Sequence, residues 1–144
     1  MKFSISLEPM ASPRPKFSSR GGFVKAYMPK PYMAWKKRFL LAWLVYRAKK
    51  KAKGKPLFVK IGFYIEPTQA IAKVKKNQLA LENETMPVIV KPDIDNLQKS
   101  VLDALNGYAW HDDNQISDIY AKKRYSLKPR VEIEIEEIEN GKAN

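Results

Sequence analysis

The chain has 144 residues, of which 44% are hydrophobic and 11% aromatic; this is typical of one folded domain and excludes a disordered chain. The chain has no cysteine, which excludes disulfides, thiolate catalysis and cysteine-ligated metals. It has a single histidine, His111, which excludes a histidine-rich metal site. Its 27 basic and 15 acidic residues give a net charge of +12, which predicts a polyanionic partner: nucleic acid first, an anionic membrane surface second.

Neither a signal peptide nor a membrane span is indicated. The N-terminus, MKFSISLEPM, lacks a long apolar stretch. The longest apolar run, Phe39 to Tyr46, is far shorter than the ~20 residues needed to cross a bilayer. We therefore expect a soluble intracellular protein with no membrane partner.

The first half of the chain alternates between strand and helix patterns. Lys2 to Glu8 alternates apolar and polar residues, which predicts a half-buried strand. Residues 9–31 predict a long basic loop with a short hairpin around Gly21-Gly22. Tyr32 to Lys51 predicts a helix whose broad aromatic face favours a core position, although basic amphipathic helices can also lie on membranes. Lys55 to Pro67 predicts a second strand.

A basic segment and a second helix follow. Gln69 to Glu84 has weak helical periodicity and several lysines, so residues 69–87 are expected to form a mobile basic flap or a short helix. Asp95 to Asn106 predicts a helix with Asp95 as its N-cap and Gly107 as its stop.

Two strands are predicted at the C-terminal end, Gln115 to Ser126 and Arg130 to Ile138, followed by a frayed tail over residues 139–144. The order of elements predicts an α+β fold in a single domain spanning 1–144. We expect one mixed β-sheet of about four strands, with helices packed on one face.

Charge and aromatic residues are concentrated in the N-terminal half. No acidic residue lies between Glu8 and Glu66, whereas fifteen basic residues do. This favours a surface that follows phosphates and offers rings for stacking; the less favoured alternative is that the rings are core residues with a rim of lysines. The interleaved aromatic residues are Phe17, Phe23, Tyr27, Tyr32 and Trp35.

Two acidic pairs stand out in so basic a chain. KPDIDN places Asp93 and Asp95 two residues apart, and WHDDNQ supplies Asp112 and Asp113. Carboxylates without useful histidine or cysteine are the ligands of a hard cation, Mg²⁺ or Mn²⁺, which can bridge them to a phosphate. An acidic cluster in a basic surround is the layout of a metal-dependent nuclease. The alternatives are simpler: Asp95 as a helix cap and Asp112-Asp113 as a turn.

Lys99 lies on the polar side of the helix that follows KPDIDN. It could contact the scissile phosphate or the leaving oxygen. It could also form an i,i+4 pair with Asp103 that contributes only ~0.3–0.5 kcal/mol.

The segments KPDIDNLQKSVLDALNG and WHDDNQISDIYAKKRY resemble the RusA family of Holliday-junction resolvases, which is common in phages and prophages. The match runs from Lys91 to about Tyr125, and a looser likeness covers Pro13 to Lys16 with Tyr32 and Trp35. The resemblance implies a homodimeric, Mg²⁺-dependent endonuclease, with Mn²⁺ able to substitute. It implies paired symmetric nicks in four-way DNA junctions during recombination and repair. The enzyme would act in the bacterial cytoplasm without a nucleotide cofactor.

The family's functional positions can be carried over residue by residue. Its catalytic aspartates fall on Asp93, Asp95 and Asp113, and its essential lysine falls on Lys99. Asp112 matches a further position, so the expected metal ligands are these three aspartates and Asp112. From the charge distribution, the expected DNA contacts are Arg14, Lys16, Arg20, Lys36, Lys37, Lys73, Lys75, Lys76 and Lys91.

Two other functions compete with a nuclease. One is a branched-DNA-binding protein on the same scaffold without turnover, against which the intact carboxylates and Lys99 argue. The other is a basic RNA- or ribosome-binding protein, which would not need the carboxylates. A nicking assay on junction DNA separates the first from an enzyme, and competition between A-form RNA and branched DNA tests the second.

Overall fold

A four-stranded mixed β-sheet forms the centre of the structure, a computed structural model that describes residues 1–139 and the backbone of residues 142–143. The strands are β1 Lys2–Ile5, β2 Lys16–Ser18, β3 Lys25–Tyr27, β4 Leu57–Ile65, β5 Ile116–Tyr125, β6 Arg130–Glu139 and β7 Lys142–Ala143. The α-helices are α1 Lys30–Leu44, α2 Gln69–Ala72, α3 Gln78–Glu82 and α4 Ile94–Leu105. The tail expected at 139–144 lies mostly outside the described residues.

The sheet order is β1-β6-β4-β5, with β4 and β5 parallel, the other pairs antiparallel, and β7 added to β6. Strands β5 and β6 are joined by only residues 126–129, yet β4 lies between them. The alternation predicted for β6 is confirmed, because Val131, Ile133 and Ile135 are buried while the intervening glutamates are not. The expected α+β fold with a mixed sheet of about four strands is therefore confirmed.

Both long helices pack on the same face of the sheet. Phe39 and Trp43 of α1 and Leu97 and Val101 of α4 join one core cluster with the inward-facing strand residues. Burial of large aromatic and aliphatic side chains is the main stabilising contribution of this layer. Among the described residues, no helix combines the length and apolar character that a membrane crossing requires.

Helix α1 is shorter than predicted, since it ends at Leu44 rather than Lys51. Arg47 adopts a positive φ of 53°, which a continuing helix cannot accommodate. The Tyr46 hydroxyl donates to the Ser4 carbonyl at 2.6 Å, and the Ser4 N–H donates back to the hydroxyl at 3.0 Å. The Lys51 N–H donates to the Ala109 carbonyl at 2.9 Å. Tertiary hydrogen bonds thus replace the last helical turns.

The segment between β4 and α4 contains α2, α3 and a 3₁₀ turn, and it is attached to the sheet by apolar packing, an ion pair and backbone hydrogen bonds to β5. Leu81 and Val88 pack with Tyr125 in a small second cluster. Glu84 pairs with Arg130 of β6, with 2.8 Å between Oε1 and Nη2. The Arg130 guanidinium holds the pKa of the Glu84 carboxyl below its ordinary value.

Candidate active site

Helix α4 begins at the first acidic pair. Its N-cap is Asp93, and Asp95 lies in the first helical turn. The prediction that Asp95 is the N-cap is therefore wrong. Asp95 instead accepts a hydrogen bond from the Asn96 N–H at 3.0 Å, and its negative charge is favourable near the positive end of the helix dipole. Both aspartates are exposed, and the Asp93 side chain makes no capping bond with the described chain. Their carboxylates are therefore accessible to a ligand.

The loop that leads into Asp93 is held by a lysine from β5. The Lys123 ammonium donates to the Val90 carbonyl at 2.9 Å and to the Pro92 carbonyl at 2.8 Å. These two carbonyls flank Lys91, immediately before the acidic pair. Lys123 thus fixes the backbone from which Asp93 and the first turn of α4 emerge.

The second acidic pair lies on a 3₁₀ turn, Asp113–Gln115. Asp112 caps this turn by accepting from the Asn114 N–H at 3.0 Å. Gln115 Oε1 accepts from the N–H groups of His111 and Asp112 at 2.9 and 3.2 Å. Gln115 Nε2 donates to the carbonyl of residue 52 at 2.9 Å and to that of residue 55 at 3.0 Å. The predicted turn at Asp112 is therefore confirmed, and Gln115 attaches the turn to the loop that precedes β4.

Asp113 is half-buried beside a tryptophan. The Trp110 indole N–H donates to Asp113 Oδ1 at 2.7 Å, and Trp110 itself is fully buried. Burial raises the pKa of the Asp113 carboxyl above its ordinary value; the hydrogen bond from Trp110 opposes this, while the negative charges of Asp103 and Asp112 add to it. A cation near Asp113 would relieve this repulsion.

Asp103 belongs to the same neighbourhood. It accepts a hydrogen bond from the Tyr32 hydroxyl at 3.2 Å, and its charge acts on Asp113. Burial raises the pKa of Tyr32, so its hydroxyl stays protonated and remains a donor. None of the ion pairs among the described residues includes Lys99, so the alternative pairing of Lys99 with Asp103 is not formed. Lys99 is instead exposed, one turn after Asp95.

The basic loop is anchored at both ends on α4. The Ser12 N–H donates to the Asn96 carbonyl at 2.9 Å, and the Tyr32 hydroxyl donates to the Asp103 carboxylate at 3.2 Å. The Trp35 indole N–H donates to the Glu8 carbonyl at 2.9 Å, which fixes the start of the loop against α1. Both ends of the basic loop are therefore held beside α4.

The five interleaved aromatic residues divide into two groups. Tyr32 and Trp35 are buried, as the core alternative predicted. Phe17, Phe23 and Tyr27 are exposed on the hairpin that was expected around Gly21-Gly22, which β2 and β3 form. Of these five described residues, Phe17, Phe23 and Tyr27 are the ones available for stacking.

Of the nine basic residues expected to contact DNA, eight are exposed and Lys36 is half-buried. Lys36 lies 5.1 Å from the centroid of the Tyr32 ring, which brings a positive charge to the acidic neighbourhood. The rest of the set is distributed over three places: the basic loop and its hairpin (Arg14, Lys16, Arg20), α1 (Lys37), and the segments between β4 and α4 (Lys73, Lys75, Lys76, Lys91).

The carboxylates do not form a ready-made metal centre in the described part of a single chain. No group of three or more acidic or histidine side chains there is arranged to hold a metal ion. The donor chemistry nevertheless fits a hard cation, because Asp93 and Asp95 offer exposed carboxylate oxygens. The structure brings Asp113 together with Asp103 and Asp112, and it places Asp93 and Asp95 together at the start of α4.

Three contributors to this site were not found by sequence reasoning: Ser12, Trp110 and Lys123. Trp110 lies two residues before the second acidic pair, and Lys123 lies within the basic run AKKRY. No periodicity or spacing distinguishes Lys123 from its neighbours, because its role depends on a loop about thirty residues earlier.

Comparisons with known proteins agree with the motif. A family described as "Endodeoxyribonuclease RusA" matches residues 6–136. The chain is also similar to "Uncharacterized protein YqaN" of Bacillus subtilis (strain 168), with 33% identity over 138 residues, which cover 96% of each protein.

Proposed function

The chain belongs to the RusA family of endodeoxyribonucleases, and on this premise we propose that it is a Mg²⁺-dependent enzyme that resolves four-way DNA junctions by paired, symmetric nicks. The observation that carries the proposal is the pair of exposed carboxylates, Asp93 and Asp95, at the start of α4 in a chain of net charge +12. A bare acidic pair repels DNA phosphates, so its place within a basic surface points to a bridging cation. Because the substrate is DNA, we place the enzyme in the bacterial cytoplasm.

Each polar side chain of the site has a role in this reaction. Asp93, Asp95 and Asp113 would hold the cation, with Asp112 as a further candidate ligand. Bound Mg²⁺, or Mn²⁺ in its place, supplies an activated water and stabilises the charge of the displaced phosphoryl oxygens. Lys99, exposed one turn after Asp95, would contact the phosphate that carries the scissile bond. Lys123 keeps the loop before Asp93 in place, and Trp110 orients the Asp113 carboxylate.

Paired nicks require two active sites. A two-fold homodimer supplies two equivalent sites that match the two-fold character of a four-way junction. The candidate interfaces are the edge strands and the exposed apolar residues of α1, among them Met33 and Leu41. Sedimentation at micromolar concentration is expected to show a dimer, and a fully active monomer would contradict this part of the proposal.

The direct test is cleavage of a synthetic four-way junction beside a linear duplex of the same sequence. We expect nicks in the junction with Mg²⁺ or Mn²⁺, none with EDTA, and little cleavage of the duplex. Junction binding without cleavage under any metal would instead identify a non-catalytic DNA-binding protein. Tighter binding to A-form RNA would favour the RNA-binding alternative.

Asp95→Asn tests the site itself. The amide oxygen can still accept from the Asn96 N–H, so the fold should survive with a loss of only about 0.3–1 kcal/mol from the helix-dipole interaction. Loss of one anionic ligand should lower cleavage on the order of a hundredfold or more. Junction binding in Ca²⁺ should hold or tighten, because a phosphate-repelling charge is removed.

The matched control for this variant is Asp118→Asn. It makes the same change of charge at an exposed position of β5 and should cut at the wild-type rate. A folded Asp95→Asn protein that also cuts at that rate would remove Asp95 from the site.

A further inference from the structure

We infer that the β2–β3 hairpin binds exposed bases at the branch point of a DNA junction through Phe17, Phe23 and Tyr27, and thereby contributes a preference for branched over linear DNA. The inference rests on the proposed function, because it takes branched DNA as the ligand. It concerns a surface that is separate from the carboxylates.

The hairpin presents aromatic rings to solvent. Phe17, Phe23 and Tyr27 are 69%, 73% and 48% exposed, and every residue from 19 to 27 is exposed. The register pairs Lys16 with Tyr27 and Phe17 with Ala26, so rings project from both faces of the ribbon. An isolated two-stranded hairpin is at best marginally stable in water. A ligand that covers these rings would therefore also stabilise the hairpin.

The position of the hairpin links it to the active site. The chain before β2 is attached to α4 by the Ser12–Asn96 hydrogen bond of 2.9 Å. The chain after β3 is attached to the same helix by the Tyr32–Asp103 hydrogen bond of 3.2 Å. Helix α4 also carries Asp95. The hairpin is thus attached at both ends to the helix that carries Asp95, and DNA that contacts both would bring its branch-point bases to the rings.

The charge of the hairpin selects the kind of ligand. Lys16, Arg20 and Lys25 lie on it, and no acidic residue occurs between Glu8 and Glu66. A second copy of the chain packed two-fold on this surface would place like charges together, whereas DNA supplies compensating phosphates. In a linear duplex the base faces are covered by stacking, but at a branch point they can be exposed. Aromatic side chains stack on such faces without regard to sequence.

The experiment compares Phe17→Ala/Phe23→Ala with wild type for binding to a four-way junction and to a linear duplex of equal length, in Ca²⁺. Both phenylalanines are exposed, so folding should be unaffected. We expect junction affinity to fall about tenfold or more, from the loss of base stacking. Duplex affinity should change by less than about twofold, since phosphate contacts remain.

A fluorescent base and a matched control refine this test. The emission of 2-aminopurine at the branch point should change when wild-type protein binds, because its stacking partners change, and should stay unchanged with the double variant. Leu127→Ala removes a 57% exposed apolar side chain from the β5–β6 connection and should behave as wild type in both assays.

The possible outcomes distinguish the hairpin from the proposed function. Unchanged junction affinity in the double variant, or equal losses on junction and duplex, would overturn the inference. A change in sedimentation of the double variant would also overturn it, by identifying the rings as a self-contact. If wild-type protein binds junctions through these rings but never cuts them in Mg²⁺, the hairpin inference stands and the proposed nuclease function fails. If wild type cuts junctions and the double variant keeps full junction preference, the reverse holds.

Discussion

Lys123→Met should impair cleavage without impairing DNA binding beyond the loss of one charge. In the structure the Lys123 ammonium bridges the Val90 and Pro92 carbonyls at 2.9 and 2.8 Å, and methionine removes both hydrogen bonds while keeping much of the side-chain volume. A protein hydrogen bond contributes about 1 kcal/mol net, so the two together hold the loop by about 1–2 kcal/mol at this partly exposed position. Losing that amount shifts the ratio of correctly placed to displaced loop roughly 5–30-fold towards the displaced loop.

The assay is single-turnover cleavage of a junction at saturating enzyme, so that affinity does not enter the rate. Lys122→Met is the matched control. It lies next in the chain, and consecutive strand residues point to opposite faces of the sheet; its ammonium lies 5.8 Å from the Tyr64 ring centroid. Both variants lower the net charge by one and should weaken binding equally. Only Lys123→Met should slow cleavage, by up to about 30-fold, and equal single-turnover rates for the two would refute the positioning role.

Two further expectations concern binding and stability. If the basic surface makes six or more phosphate contacts, a plot of log K for DNA binding against log salt should have a slope of about −5 or steeper, and a slope near −1 would contradict phosphate contact. Charge reversal at Lys36 and Lys37 should weaken binding to all branched substrates alike. Glu84→Gln should lower the melting temperature by about 2–4 °C at neutral pH, through weakening of the Arg130 pair by about 1 kcal/mol. Because the folded pKa of Glu84 lies below the ordinary 4.5, this contribution is full above that value and disappears as the pH falls through the lowered pKa. The melting difference from wild type should therefore shrink in acid, and a constant difference would point to packing instead.

Much of this protein was determined locally by its sequence. The alternation in β1 and β6, the apolar stripe of α4 and the hairpin at Gly21-Gly22 depend on neighbours within a few residues, so their patterns predicted them correctly. The acidic pairs and Lys99 also form contiguous motifs, and these were sufficient to identify the family. Local rules were wrong at two helix ends: α1 ends at Leu44, close to the bond of Tyr46 to β1, and Asp93 rather than Asp95 caps α4.

Only the tertiary structure decided how the site is assembled. The hydrogen bonds of Lys123 to Val90 and Pro92, and of Tyr32 to Asp103, join residues about thirty and seventy positions apart. The raised pKa of Asp113 comes from burial, which no local pattern records. The same sheet and helix layer buried Tyr32 and Trp35 while leaving Phe17, Phe23 and Tyr27 in solvent. Hydrogen bonds, burial and repulsion act through space, so chain folding alone sets which aspartates share a neighbourhood and which rings remain exposed.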